Sequence, residues 1–141
     1  MSKTTRTQAA VSQADYETLA AFRFELRKFL NFSEQAAKAL GMTPQQHQSL
    51  LAIRAAPDRL LSIGDLAEQL FIQPHTASEL ADRMSALGWL ERRASTQDRR
   101  RVCLGLTEAA ELMLDSMSAT HRGEVLRIRG TLTDLLCRLE D

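Results

Sequence analysis

The sequence has few of the residues that build metal sites and disulfides. Two cysteines, Cys103 and Cys137, and three histidines are scattered over 141 residues. Neither cysteine belongs to a CxxC or a Cys/His ligand spacing, so we expect no metal site. The sequence also lacks a Ser/His/Asp arrangement, a glycine-rich phosphate loop and an HExxH motif. We therefore predict that the protein is not an enzyme and needs no cofactor.

Long apolar runs are missing as well. No stretch approaches the roughly 18 apolar residues of a membrane-spanning helix, and no apolar segment follows the cations near the N-terminus, as a secretory signal requires. These features predict a soluble, cytoplasmic protein with no membrane partner. We interpret residues 1–13 as a flexible tail and the whole chain, residues 1–141, as one domain of ordinary globular composition.

The chain has no net charge, because 18 basic and 18 acidic residues cancel. This balance argues against a uniformly basic nucleic-acid binder. The charge is nevertheless unevenly distributed: residues 91–101 contain five arginines and two acids, Glu91 and Asp98. A local excess of three positive charges therefore lies in one short segment.

Apolar residues at spacings of three and four predict a long amphipathic helix over residues 14–40. Phe24 and Phe32 lie near the edge of its apolar stripe, so more than one face of the helix is apolar. Such a helix suits a homodimer, because it can cover both its own core and a partner chain. The stripe itself consists of Leu19, Phe22, Leu26, Phe29 and Leu30.

Local signals predict three shorter helices in the next segment. Thr43, as an N-cap, opens the first, and Ser62, in a sequence that resembles a capping box, opens the second. Pro74 fits best in the first turn of the third helix, and Gly88 is well placed to end it. The residues predicted to point inward from the first of these helices are Leu50, Leu51 and Ile53.

A β-hairpin is predicted to follow. Residues 89–93 can form one strand and residues 94–100 a turn. A helical pattern then returns over residues 107–141, with a predicted interruption at Gly130. The buried face of the second strand is predicted to consist of the alternating residues Val102, Leu104 and Leu106.

This order of elements is typical of a winged helix-turn-helix lobe, here residues 43–106. The helix that begins at Pro74 can enter a major groove, where its first turns reach base edges. A hairpin tip that bears arginines can reach the flanking minor groove, where a narrow A·T-rich stretch concentrates negative potential. The positive segment lies at such a tip.

Three stretches resemble the MarR (multiple-antibiotic-resistance regulator) family of bacterial transcription factors. They are LSIGDLAEQL, ASELADRMSALGWLERR, and Asp98-Arg99-Arg100 followed by VCLGLT, which is similar to the family's wing signature. The resemblance implies a mainly α-helical fold with a small β-hairpin, in which the winged lobe sits on a dimerisation platform of residues 14–40 and 107–141. It further implies a homodimer, in most members a repressor, that binds a pseudo-palindromic stretch of double-stranded DNA. Many members leave the DNA when a small, often aromatic ligand binds.

Five candidates for DNA contact lie on the third of the shorter helices, which would be the recognition helix. Capping and ordinary solvent exposure are the alternative roles of the first four of them. We expect Glu79 to pair with Arg83 one turn later, and a cytosine amino group is the alternative partner of its carboxylate. The candidates for contact with base edges or phosphates are Gln73, His75, Thr76, Ser78 and Arg83.

Four further candidates lie at the predicted wing. Arg100 is predicted to enter the minor groove, Arg99 to lie at the phosphate backbone, and Arg101 to join the tip to the second strand. Asp98 is expected to orient a neighbouring arginine by a charge-assisted hydrogen bond. A solvated charged turn without DNA contact is the alternative interpretation.

His47 and Arg54 are the candidates for a ligand site, because they share one helical face with Leu50 and Leu51. There they could bind a small aromatic or anionic effector. The alternative is a partly buried histidine and an arginine whose stem covers apolar surface. Cys103, on the wing strand, raises the separate alternative of an exposed thiol that oxidises.

A second function fits the same fold. A winged-helix lobe can serve as a protein-interaction or adaptor module that binds no operator, and the zero net charge supports this alternative.

Overall fold

The computed structural model of the protein describes residues 10–139, so that most of the predicted tail lies outside the described residues. Within this range, the predicted helices and hairpin follow one another in the predicted order, which confirms the fold class. The elements are α1 (Gln13–Ala39), α2 (Pro44–Ala55), a 3₁₀ turn (Pro57–Arg59), α3 (Ile63–Leu70), α4 (Pro74–Ala86), β1 (Leu90–Ala94), β2 (Val102–Leu106) and α5 (Glu108–Cys137).

The chain forms two compact units. Of the described residues, the terminal unit comprises 10–31 and 123–139, and the central unit comprises 32–122. Of the described helices in both units, none has the length and apolar content needed to cross a membrane. The helix-turn-helix and the hairpin belong to the central unit, so the geometry of the candidate DNA-binding surface can be described within one body.

The helices of the central unit begin where local capping chemistry allows. The Thr43 hydroxyl accepts a hydrogen bond from the Gln46 amide at 3.2 Å, and the Gln46 side chain accepts from the Thr43 amide at 2.9 Å. The Ser62 hydroxyl accepts from the Asp65 amide at 3.1 Å. These contacts satisfy amides that have no partner inside the helix. The predicted starts of α2 and α3 are therefore confirmed, and α4 begins at Pro74 as predicted, without a side-chain cap.

The core of the central unit takes side chains from every helix of the unit and from the hairpin. Each fully buried leucine or isoleucine contributes about 1.5–3 kcal/mol to folding. Because α4 buries one complete face in this core, its opposite face must point to solvent. Side chains with at most 1% of their surface exposed include Leu50 and Ile53 of α2, Leu66 of α3, Met84 of α4, Leu104 of β2 and Leu114 of α5.

Two predictions about burial, those for Val102 and Leu51, are wrong, and the alternative of an exposed Cys103 thiol is excluded. Val102 is 55% exposed, because it lies at the outer end of the hairpin opposite Ala94, beyond the edge of the core. Cys103 is buried instead, which removes the exposed thiol that oxidation requires. Leu51, predicted to point inward from α2, is 48% exposed.

Gly130 does not interrupt the last helix, since α5 runs without a break from Glu108 to Cys137. A glycine inside a helix costs about 1 kcal/mol relative to alanine. Such a cost is small for a helix of 30 residues. The predicted interruption is therefore wrong.

The turn between α3 and α4 contains a strained residue. Phe71 adopts the left-handed conformation (φ 55°, ψ 41°), and its side chain is 95% exposed. This conformation costs a residue with a Cβ about 1–2 kcal/mol, whereas glycine adopts it freely. The strained backbone of Phe71 thus allows a tight connection between the two helices.

We expect Phe71→Gly to raise the free energy of unfolding by about 0.5–1 kcal/mol, because the strain disappears and little buried surface is lost. Urea unfolding of the wild type and the variant measures this difference. Phe71→Ala is the matched control, since it removes the same ring but keeps the Cβ. Equal stability of the two variants would contradict the explanation.

Candidate nucleic-acid interface

The recognition helix α4 presents its N-terminal residues outward. Gln73 stands at the N-cap, and its side chain makes no capping hydrogen bond. Gln73 and His75 are exposed, whereas Thr76 and Ser78 are half-buried. An exposed amide and an imidazole at a helix N-terminus are groups that hydrogen-bond to base edges or phosphates.

Arg83 lies one to two turns farther along α4 and is exposed. Among the ion pairs of residues 10–139, none joins it to Glu79, so the expected pairing is wrong. An ion pair at this spacing stabilises a helix by only about 0.2–0.5 kcal/mol. Hydration of the two separate side chains can offset so small a gain. Asp82 forms an ion pair instead, with Arg92 of β1 at 2.9 Å. This contact ties the recognition helix to the wing.

The wing tip is a closed loop from Ser95 to Arg101. The Ser95 amide donates to the Arg101 carbonyl at 2.9 Å, and the Arg101 amide donates to the Asp98 carbonyl at 3.0 Å. The Asp98 carboxylate accepts from the Arg100 backbone amide at 2.9 Å. Asp98 therefore orients the backbone of Arg100 rather than the guanidinium group of an arginine, which corrects the expected contact. A carboxylate that accepts from the amide two residues on is a common way to build a turn.

The three arginines of the tip are exposed. None of the ion pairs within residues 10–139 includes Arg99, Arg100 or Arg101. The other two arginines of the positive segment have partners, because Arg92 pairs with Asp82 and Arg93 pairs with Glu91. The excess positive charge is therefore concentrated at the end of the wing.

Comparison with known proteins identifies the central part of the chain. Residues 40–101, which span the helix-turn-helix and most of the wing, match the sequence model of the MarR family. This part of the chain is similar to the MarR family. The family consists of transcription regulators rather than enzymes, in agreement with the predicted lack of catalysis.

One relative of the chain is the HTH-type transcriptional repressor MdtR of Bacillus subtilis (strain 168). The two proteins are 26% identical over 94 residues, which cover 67% of this chain and 59% of MdtR. The chain thus spans less than two thirds of the length of that relative.

Two solved structures share the fold. A MarR family protein from Bacillus stearothermophilus has a TM-score of 0.73 and 18% identity, and the alignment covers 85% of this chain and 82% of that one. A mutant of Staphylococcus aureus MepR bound to an oligodeoxyribonucleotide has a TM-score of 0.65 and 22% identity, with coverage of 89% and 98%. At these identities the likeness concerns the fold.

The structure gives the two candidate ligand residues, His47 and Arg54, different partners. Arg54 Nε lies 3.8 Å from Glu111 Oε1, an oxygen that also accepts from Arg59 at 3.2 Å. His47 is buried, and its Nδ1 lies 3.5 Å from Ser33 Oγ. The contacts of each residue therefore do not by themselves form a joint site, and the effector role of both stays a prediction.

His47 belongs to a polar cluster that links α1, α2 and α5. The centroids of the His47 and His121 rings are 4.9 Å apart. His121 Nδ1 lies 2.8 Å from the Met117 carbonyl, and its Nε2 lies 2.8 Å from Ser33 Oγ. Because a carbonyl only accepts, Nδ1 of His121 carries a proton and donates it to the Met117 carbonyl.

Burial lowers the pKa of His47 from its usual range, and the nearby charge of protonated His121 lowers it further. The unfolded chain therefore binds more protons than the folded protein between the lowered pKa and the ordinary histidine value of about 6.5. Stability attributable to His47 is complete above that ordinary value and decreases as the pH falls below it.

We expect the melting temperature of the wild type to fall between about pH 7.5 and pH 5.5, and to fall less in His47→Gln, which has no group to titrate at this position. Calorimetry at matched ionic strength measures both slopes. His75→Gln is the control, since His75 is exposed on α4. The explanation fails if His47→Gln retains the full wild-type slope.

Proposed function

We propose that the protein is a DNA-binding transcriptional regulator, and specifically a cytoplasmic homodimeric repressor that leaves a pseudo-palindromic operator when a small ligand binds. The observation that carries the proposal is the concentration of unpaired arginines at the tip of the wing, beside a recognition helix with an outward polar N-terminus. The description of MdtR as a transcriptional repressor and the oligonucleotide bound to a MepR mutant support it.

The proposed DNA contacts divide into two groups. The start of α4 enters the major groove, where Gln73, His75 and Ser78 reach base edges and Thr76 lies nearer the flank. Arg83, farther along α4, contacts a phosphate. At the wing, Arg100 enters the minor groove, and Arg99 and Arg101 lie near the phosphate backbone.

The proposed dimer rests on exposed apolar side chains of the terminal unit. On α1, apolar residues at spacings of three, seven and four share one face of the helix. The end of α5 adds further exposed side chains, including Val125 and Leu136. A row of exposed apolar side chains on one helix face is typical of an interaction site. The exposed apolar stripe of α1, which differs from the predicted stripe, consists of Tyr16, Leu19, Leu26 and Leu30. These side chains are 38–61% exposed.

The proposed effector is a small aromatic or anionic molecule, for which His47 and Arg54 remain the candidate residues. Arg54 is half-buried, and one carboxylate, Glu111, is its partner at 3.8 Å. An anionic ligand could replace that carboxylate at the guanidinium group. Titration calorimetry with aromatic acids, on the wild type and on Arg54→Ala, tests this role, because equal binding by both would remove Arg54 from the site.

The experiment that tests the DNA-binding function measures the affinity of the protein for DNA from upstream of its own gene as a function of salt. Neutralised phosphates release counterions, so we expect the logarithm of the binding constant to fall linearly with the logarithm of the salt concentration. Random DNA of equal length is the control. A slope near zero would instead favour the alternative of an interaction module without operator binding.

A further inference from the structure

The wing tip is held to the body of the central unit by one side-chain contact that lies outside the proposed DNA contacts. Thr96 Oγ1 donates to Asp58 Oδ2 at 2.7 Å, across 38 residues of sequence. Among the side-chain hydrogen bonds and ion pairs of residues 10–139, it is the one that joins the loop from Ser95 to Arg101 to a residue outside the hairpin. The contact thus bears on the direction in which the tip points.

Asp58 lies in a strained connection between α2 and α3. Asp58 (φ 58°) and its neighbour Arg59 (φ 57°) both adopt the left-handed conformation. Non-glycine residues persist there when the surroundings hold them in place, and such strain concentrates at functional positions. Arg59 is held by Glu111 at 3.2 Å, and the chain after it pairs with β2, where the Leu104 amide donates to the Leu61 carbonyl at 2.8 Å. These contacts hold the connection between α2 and α3 in place, and the Asp58 carboxylate extends from it to Thr96 of the wing.

The hydrogen bonds inside the tip fix its shape but not its direction. They link Ser95, Asp98, Arg100 and Arg101 to one another. Beneath the tip lies a recess of about 200 Å³ rather than packed core, and Asp58 and Thr96 both line it. Because packing is missing here, the hydrogen bond between Asp58 and Thr96 limits the swing of the hairpin end.

We propose that Asp58 is a positioning residue for DNA binding, and that its hydrogen bond with Thr96 holds the wing in the orientation in which the arginines meet DNA. The proposal rests on the proposed function. A loop that is ordered before binding loses less conformational entropy when the complex forms. The contact does not touch DNA, so it adds affinity without adding a phosphate contact.

Three variants separate the hydrogen bond from the backbone strain. Thr96→Val removes the hydroxyl and keeps the shape of the side chain. Asp58→Gly removes the acceptor and relieves the left-handed strain, so it weakens the wing without weakening the fold. Asp58→Asn keeps an acceptor oxygen and tolerates the left-handed conformation. Thr120→Val makes the control change at an exposed position on α5.

The first measurement is made without DNA, as NMR order parameters of the Arg99, Arg100 and Arg101 amides. We expect lower order in Thr96→Val and Asp58→Gly, and wild-type order in Asp58→Asn and in the control. Unchanged order in Thr96→Val overturns the proposal. This measurement decides the positioning role even if the protein binds no DNA, so its failure is distinguishable from failure of the proposed function.

The second measurement is DNA affinity over a range of salt. We expect Thr96→Val and Asp58→Gly each to bind about threefold to tenfold more weakly, with the wild-type salt slope, because the phosphate contacts remain. The double variant should bind no more weakly than the weaker single variant, since both remove the same hydrogen bond. Binding by Asp58→Asn that is as weak as that of Asp58→Gly would overturn the proposal.

Discussion

Leu26→Glu is expected to convert the proposed homodimer to monomers and to weaken binding to the proposed operator by about a hundredfold to ten-thousandfold. In a dimer, binding of the first lobe raises the effective concentration of the second lobe at its half-site. The resulting gain in affinity, which a single lobe lacks, is about a hundredfold to ten-thousandfold. Leu26 lies in the exposed apolar stripe of α1 and is 38% exposed. A carboxylate at its position would lose its hydration in the interface without gaining a partner.

Sedimentation analysis measures the first part of this prediction, since the wild type should have twice the 15.8 kDa mass of the chain. Gln35→Glu is the matched control, because it adds the same charge to the same helix at an exposed position away from the stripe. A Leu26→Glu protein that remains dimeric and binds the operator with wild-type affinity would place the dimer contact elsewhere.

Arg100→Ala is expected to weaken DNA binding by about 1–3 kcal/mol, or roughly fivefold to 150-fold, and to have the largest effect of the three tip arginines. The Asp98 carboxylate accepts from the backbone amide of Arg100 at 2.9 Å, which holds the backbone from which this side chain extends. Binding to A·T-rich flanks should suffer most, because a narrow minor groove concentrates negative potential.

Arg99→Ala is expected to weaken binding equally for all sequences and to reduce the salt slope by about 1, as the loss of one phosphate contact does. Arg127→Ala is the control for both variants, since Arg127 pairs with Glu124 on α5 in the terminal unit. If Arg101→Ala weakens binding more than Arg100→Ala does, the assignment of the minor-groove arginine is wrong by one residue.

The features that sequence reasoning predicted correctly depend on neighbouring residues. The hydroxyls of Thr43 and Ser62 cap helices through amides three residues away, so the amino acids at those positions suffice to predict the helix starts. The contact of Asp98 also lies only two residues away, but the predicted guanidinium partner was wrong, because the carboxylate accepts from the Arg100 backbone amide. Once the start of α4 and the ends of the two strands were predicted, the candidate DNA-binding residues could be placed at the start of α4 and on the wing.

The features that sequence reasoning missed depend on distant residues. Val102 and Cys103 alternate as strand residues do, but which of them is buried depends on where the core ends along β2. Arg54 meets Glu111 instead of a ligand partner on its own helix, and Arg92 meets Asp82. No local pattern predicts such pairs, because only packing decides which exposed charges lie close together.

By itself, the sequence determined the order and type of the elements, the winged helix-turn-helix layout and the positive segment, since periodicity, capping and charge act over a few residues. The tertiary structure alone decided that three arginines remain unpaired at the wing tip and that Asp58 reaches Thr96 across 38 residues. The reason is physical: a hydrogen bond or an ion pair between distant residues forms only after the core has brought their elements together.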